Sequence, residues 1–108
     1  MKIQTLSGLV LLTLVSSPLL ASQELAEKNG CMGCHLMDRR TVGPSIRQIA
    51  ERYAAQPDAS AMLYEKVKKG GGGPWHGTWG SIPMPPHGDN IQPDTMKTIV
   101  DWMLIQKK

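Results

Sequence analysis

Apolar residues recur at helical spacing in three segments of the chain, each long enough for a short helix. The segments are 45–54, 60–69 and 93–106, and in each the apolar residues lie three or four positions apart. The predicted buried faces contain Ile46, Ile49, Ala50, Tyr53, Leu63, Val67, Met96, Ile99, Val100, Met103 and Leu104. No segment alternates apolar and polar residues, so we expect an all-α fold without a substantial sheet.

Residues typical of helix ends support these boundaries and add a fourth helix at 22–29. The composition of this segment favours a helix, Ser22 is a candidate N-cap, and Gly30 can end the helix in the left-handed conformation. Pro93 suits the first turn of the last helix, because that position needs no N–H donor. We therefore expect about four short helices.

The segment between the third and fourth predicted helices, 70–90, is rich in Gly and Pro. A loop of this length in so small a domain is usually either functional or disordered. Trp75, Trp79 and Ile82 within it need burial, which favours an ordered and functional loop.

Residues 1–21 are predicted to be a signal peptide that is removed from the mature protein. A positively charged start precedes the apolar run 6–15, Pro18 helps to end that run, and Ala21 offers a small residue for cleavage. A membrane anchor is the alternative, but the apolar run is too short to cross a bilayer comfortably. We expect one exported domain, residues 22–108, with no membrane insertion after cleavage.

Composition limits what such a domain can do. The net charge of +3 comes from mixed charges without a dense basic stripe, which argues against nucleic-acid binding. The chain has no Phe but 11 Gly and 8 Pro, so its apolar side chains supply little core volume. Small domains of this kind need an additional covalent or metal-based constraint.

Cys31, Cys34 and His35 form a Cys-X-X-Cys-His motif with four possible uses. A disulfide between the two cysteines would close a tiny loop and stabilise little. A zinc site needs four ligands, and no second pair stands at a zinc-like spacing. A thioredoxin-like dithiol would need a surrounding βαβ pattern, which the chain lacks.

The fourth use, attachment of c-type haem, is the one that the motif favours. On a helical turn the positions i, i+3 and i+4 share one face, so both thiols can bond haem vinyl groups while His35 turns toward the iron. The predicted export agrees, because c-type haem is attached outside the cytoplasm. A haem would also supply the apolar body and covalent constraint that the core needs.

Met84 is the predicted second axial ligand of the iron. It stands between prolines, which stiffen the backbone and present the side chain reproducibly. His76 and His87 lie in the same loop and compete with it. His76 follows four glycines whose freedom is costly to restrict, and we expect Pro85 and Pro86 to turn His87 away from the iron. A thioether at this position produces a six-coordinate electron carrier.

The motifs together resemble those of the short bacterial class I cytochromes c. The resemblance is carried by CMGCH at 31–35, VGP at 42–44, WGSIPMPP at 79–86 and VDWMLIQK at 100–107, and it covers essentially the whole of 22–108. It implies a small fold of about four short helices around one covalently bound haem c, with a long Gly- and Pro-rich ligand loop.

The resemblance also implies roles for residues around the haem. The carbonyl of Pro44 is expected to accept a hydrogen bond from the Nδ1–H of His35. Trp79 is expected to donate its indole N–H to a haem propionate. Lys66 stands where the family often has a second propionate partner, an arginine.

The chain departs from the family pattern at several positions. The loop 70–77 is longer than usual and adds Trp75 and His76. Where the family often has an asparagine bonded to the methionine sulfur, this chain offers either His87 or Asn90. Ala26 replaces a larger apolar residue before the motif, and Trp102 is expected to fill the space.

These features predict a monomeric monohaem electron carrier of the periplasm, not an enzyme. By resemblance, its donor is a protein such as a membrane quinol–cytochrome c oxidoreductase, and its acceptor is a nitrite reductase, a haem peroxidase or a terminal oxidase.

A haem enzyme or gas sensor is one alternative function, and its ferrous spectrum would respond at once to carbon monoxide. A redox-inactive binding module is the other, and it would capture partners without redox turnover.

Overall fold

The computed structural model describes residues 8–10, 18–72 and 83–107. These contain four α-helices and one short 3-10 turn, Cys31–Gly33. The helices are α1 (Pro18–Lys28), α2 (Ile46–Tyr53), α3 (Ala59–Lys69) and α4 (Pro93–Leu104). Within the described ranges there is no β-strand, only two isolated bridges, which pair His35 with Arg40 and Gly71 with Met84. The predicted all-α fold is confirmed.

The start of α2 shows how its sequence fixes a helix end. The Ser45 hydroxyl accepts a hydrogen bond from the Gln48 N–H at 3.1 Å, and the Gln48 side-chain oxygen accepts one from the Ser45 N–H at 2.8 Å. This reciprocal pair is a capping box, which satisfies two donors that the first turn leaves without partners. The predicted segment 45–54 matches the observed helix to within one residue at each end.

The start of α1 corrects one prediction. The helix begins at Pro18, so Ser22 lies inside it and is not its N-cap. Proline suits a first helical turn, and the residues after it are mostly good helix formers, so the helix extends past Ser22 toward the N-terminus. At the other end, Gly30 has the predicted left-handed conformation, with φ of 80°.

Among the described residues, two small groups of buried side chains pack together. The first joins α1, the 3-10 turn, α2 and α4 through Ala26, Cys31, Ile46, Ile99, Trp102 and Met103. The second contains Ile49, Tyr53 and Ala59, with Met62, Leu63 and Leu104 packed against it. Ala26 is fully buried in the same group as Trp102, as expected if the large indole fills the space beside the small alanine.

Residues 73–82 of the long Gly- and Pro-rich loop fall outside the described residues. Trp75, His76, Trp79 and Ile82 lie in that part. Among the helices that the structure describes, none has both the length and the apolar character needed to cross a membrane.

A polar contact ties α3 to α4. The Ser60 hydroxyl donates to the Asp101 carboxylate, and the Lys97 ammonium donates to its other oxygen at 2.5 Å. Partial burial by itself would raise the pKa of Asp101, but the hydrogen bonds from Lys97 and Ser60 and the Lys97 charge outweigh it, so the pKa is lowered. The ionised carboxylate therefore stabilises the folded state.

We expect Asp101→Asn to destabilise the protein at neutral pH but not in acid. The Asp101 side chain is 44% exposed, so the loss should be that of a surface pair, about 0.2–1 kcal/mol. Because the folded-state pKa is depressed, the stabilisation is present above the unfolded-state pKa and is lost as pH falls through the folded-state value. Urea unfolding of both proteins between about pH 7 and about pH 3 measures this difference.

Asp89→Asn is the matched control, because Asp89 is exposed in the turn before α4. A loss of stability in Asp101→Asn that stays constant down to the lowest pH would contradict the role given to the ionised carboxylate.

Candidate functional site

The two cysteines of the motif are brought together by a tight turn. Gly30 ends α1, the 3-10 turn follows, and the His35 N–H donates to the Cys31 carbonyl at 2.9 Å. The cysteines are not joined by a disulfide, and Cys31 is buried while Cys34 is half-buried. Burial raises the pKa of the Cys31 thiol, and the neighbouring Cys34 raises it further against the opposing effect of a backbone hydrogen bond. A raised pKa at Cys31 is the opposite of what the attacking cysteine of a dithiol oxidoreductase needs.

The His35 ring is fixed by the backbone ahead of α2. Its Nδ1 lies 2.8 Å from the carbonyl oxygen of Pro44, the contact that the resemblance implied. Burial lowers the pKa of His35, although the Pro44 carbonyl acts in the opposite direction. The neutral imidazole therefore carries its proton on Nδ1 as the donor, which leaves the Nε2 lone pair available to a metal.

The loop between His35 and α2 holds its shape through the Cys34 carbonyl. This oxygen accepts hydrogen bonds from the Thr41 hydroxyl at 2.9 Å and from the Gly43 N–H at 3.0 Å. Gly43 is consequently placed against the face of the His35 ring, where a Cβ would lie only 2.7 Å from Cε1. From the sequence, Gly43 was named only as part of the VGP motif at 42–44, and its contact with the His35 ring was not predicted.

The motif opens onto an apolar cavity of about 300 Å³. Cys31, Cys34, His35 and Pro44 contribute to its wall, together with side chains from three helices. The apolar wall includes Ile49 and Tyr53 from α2, Leu63 and Val67 from α3, and Ile99, Val100 and Met103 from α4. Both groups of buried residues therefore border the same space.

Met84 and Lys66 line the same cavity, and each is half-buried. The backbone of Met84 is paired with Gly71: the Gly71 N–H donates to the Met84 carbonyl at 2.9 Å, and the Met84 N–H donates back at 3.2 Å. The predicted site residues Cys31, Cys34, His35, Pro44, Lys66 and Met84 are thus brought together. Trp79 lies outside the described residues.

His87 is half-buried and lines the cavity, and its direction away from the iron stays a prediction. A hydrogen bond from its N–H to the Val67 carbonyl at 3.0 Å draws it against the end of α3. Asn90 is exposed and does not contribute to the cavity wall. Of the two candidates for a neighbour of the Met84 sulfur, His87 is the one on the cavity side.

The donor set and the wall of this cavity fit a haem. Two thiols, an imidazole with an available Nε2, a thioether and a long apolar wall are the groups that c-type haem requires. The described part of the chain holds no cluster of three or more His, Cys, Asp or Glu residues able to bind a metal ion.

We expect Gly43→Ala to displace the His35 ring, because the new methyl group would overlap Cε1. The free energy of unfolding of the haem-loaded protein should fall by about 1–3 kcal/mol, the usual range for overpacking. Urea unfolding gives this energy, and the visible spectrum reports whether the surroundings of the haem change.

Gly33→Ala is the matched control inside the haem motif, since a Cβ there meets nothing within 4 Å and Gly33 does not have a positive φ. Equal stability and equal spectra of the two variants would show that Gly43 does not constrain the ring.

Comparison with known proteins agrees with this fit. The sequence profile of the cytochrome c family matches residues 20–107. Cytochrome c-552 of Nitrosomonas europaea is 40% identical over 87 residues, which cover 81% of this chain and 80% of that protein. Cytochrome c-551 of Pseudomonas aeruginosa is 37% identical over 83 residues, covering 77% of this chain and 74% of that protein.

The fold of this chain also agrees with that of a solved structure. The crystal structure of wild-type Nitrosomonas europaea cytochrome c552 matches with a TM-score of 0.68 at 40% identity, covering 79% of this chain and 99% of that chain. The cofactor of this family is haem c, held covalently by cysteine thioethers. The chain therefore belongs to the cytochrome c family and is a small class I cytochrome c.

Proposed function

We propose that this cytochrome carries single electrons between respiratory redox proteins, with Cys31 and Cys34 as the thioether attachments and with His35 and Met84 as the two axial ligands. One observation carries the proposal: the His35 imidazole and the Met84 side chain line one apolar cavity next to both thiols. The haem supplies an iron that alternates between the ferric and ferrous states.

The His35 side chain is prepared for its role by Pro44. The hydrogen bond at 2.8 Å keeps the proton on Nδ1 and limits rotation of the ring. It also increases the donor strength of Nε2, as hydrogen-bonded partners of metal-bound histidines do. A ligand that keeps its orientation in both oxidation states requires little rearrangement during electron transfer.

Met84 supplies a soft thioether, which favours the ferrous state and raises the reduction potential. With this sixth position filled, the cytochrome is a carrier rather than an enzyme or a gas-binding protein. Lys66, half-buried in the cavity wall, is suited to meet a haem propionate. Its ammonium is a point charge, so this contact is looser than that of a bidentate arginine. Trp79 remains the other predicted propionate partner.

The donor and acceptor belong outside the cytoplasm in this proposal. Cleavage after Ala21 releases residues 22–108 into the periplasm as a monomer. There the protein accepts electrons from a donor such as a membrane quinol–cytochrome c oxidoreductase and passes them to a nitrite reductase, a haem peroxidase or a terminal oxidase. Reduction of the purified cytochrome by such a donor, at a rate that saturates with its concentration, tests the partner class.

We expect Met84→Leu to remove the sulfur ligand while preserving much of the side-chain volume. The ferric wild-type protein should show the weak far-red band of sulfur bound to iron at neutral pH, and the variant should lack it. The reduction potential should fall, and carbon monoxide should bind the ferrous variant at once. Visible spectroscopy and a redox titration measure all three effects.

Met62→Leu is the matched control, because Met62 is a half-buried methionine that lines the same cavity. It should keep the far-red band and the wild-type potential. A bis-histidine spectrum in the wild type, or a far-red band that survives in Met84→Leu, would falsify the ligand assignment.

We expect periplasmic protein to have the intact mass of residues 22–108 plus one haem. Because thioether bonds are covalent, the haem should remain with the polypeptide after extraction with acidified acetone. Intact mass spectrometry before and after extraction makes both measurements. A retained segment 1–21, or a haem lost to the solvent, would contradict the proposed processing or attachment.

A further inference from the structure

The C-terminal end of α3 lies directly against the backbone of the segment that carries Met84. Gly70 follows the helix with φ of 73°. A Cβ built on Gly70 would lie 2.4 Å from the Met84 carbonyl oxygen and 2.8 Å from the Pro86 nitrogen. Side-chain carbons do not approach backbone atoms so closely, so the helix and the segment can meet in this way only with a glycine at this position.

Hydrogen bonds hold the segment on both sides of this contact. On one side, Gly71 and Met84 exchange two backbone hydrogen bonds, at 2.9 Å and 3.2 Å. On the other, the His87 N–H donates to the Val67 carbonyl at 3.0 Å, and the next residue donates to the next helical carbonyl at 3.1 Å. The last carbonyls of a helix lack partners within it. The segment therefore completes the end of α3.

Pro85 and Pro86 explain why the contact matters. Neither has an N–H, so no backbone donor can hold the chain between Met84 and His87. The prolines restrict the backbone dihedral angles of this stretch, and close packing against Gly70 sets where the stiffened stretch lies.

We propose that Gly70 is a positioning residue for Met84. Because it has no side chain, α3 and the Met84 segment are in direct contact, and the end of α3 sets how far the thioether reaches into the cavity. This proposal rests on the proposed ligation of the iron by Met84. Gly70 touches the backbone of the Met84 segment and does not line the cavity, so its effect is on how often Met84 occupies its place at the iron.

The test compares Gly70→Ala with the wild type in the haem-loaded ferric protein. A methyl group at Gly70 has to push the Met84 segment away from α3, so the far-red band should weaken. Added imidazole should then compete more easily for the iron, because its apparent affinity rises with the fraction of molecules in which Met84 has left. We expect this affinity to rise about tenfold or more, together with a fall in reduction potential.

Gly30→Ala is the control for a positive φ. Gly30 has φ of 80°, but a Cβ there meets nothing within 4 Å. Both variants force alanine to a positive φ, so both should unfold at lower urea concentration than the wild type. The loss should be larger for Gly70→Ala, because Gly70 combines its positive φ with ψ of −159°, which side chains other than that of glycine rarely allow. Only Gly70→Ala should change the far-red band and the affinity for imidazole.

The outcomes separate this proposal from the ligation on which it rests. If the wild type has no far-red band, or if Met84→Leu keeps one, the ligation fails and the positioning role fails with it. If the band depends on Met84 but the two glycine variants bind imidazole equally, the ligation stands and the role of Gly70 is overturned.

Hydrogen exchange of the wild-type protein provides a second test in case Gly70→Ala does not fold. If α3 holds the segment, the amide protons of Met84 and His87 should exchange about as slowly as that of Gly70, which donates to the Lys66 carbonyl at 2.7 Å. Exchange of the Met84 and His87 protons at the rate of an unprotected loop would overturn the proposal.

Discussion

The requirement to enclose a large apolar cofactor is the constraint on which the rest of this structure depends. A chain without Phe has little apolar volume for a core, and two small groups of buried side chains can be distinguished among its described residues. Ile99 and Met103 from one group and Ile49 and Tyr53 from the other border the same cavity. The haem of the family therefore joins two groups of side chains that are each small for a stable domain.

The sequence allowed the helices and the haem motif to be predicted, because their signals are local. Apolar spacing located α2, α3 and α4, and glycine located the left-handed end of α1 at Gly30. The start of α1 was predicted at Ser22 because serine is a common N-cap, whereas the helix begins at Pro18, which leaves Ser22 inside it.

The features that could not be predicted are close approaches between distant parts of the chain. Gly43 faces the ring of His35 and Gly70 faces the Met84 carbonyl, yet neither glycine differs in local sequence from an ordinary turn residue. The hydrogen bond of His87 is another contact of this kind. Two prolines restrict the backbone before it, but the partner of its N–H is the Val67 carbonyl, which lies in a different segment.

Each of the two proposed ligands is attached by hydrogen bonds to the end of a different helix. The Pro44 carbonyl that holds His35 immediately precedes Ser45, the N-cap of α2, so the capping box fixes the ring together with the helix. The Met84 segment is bonded to the last carbonyls of α3. Helix ends are suited to this task because their backbone groups lack partners within the helix and must find them elsewhere. Satisfying them attaches the ligand segments to the rigid part of the fold, which keeps rearrangement small when the iron changes its charge.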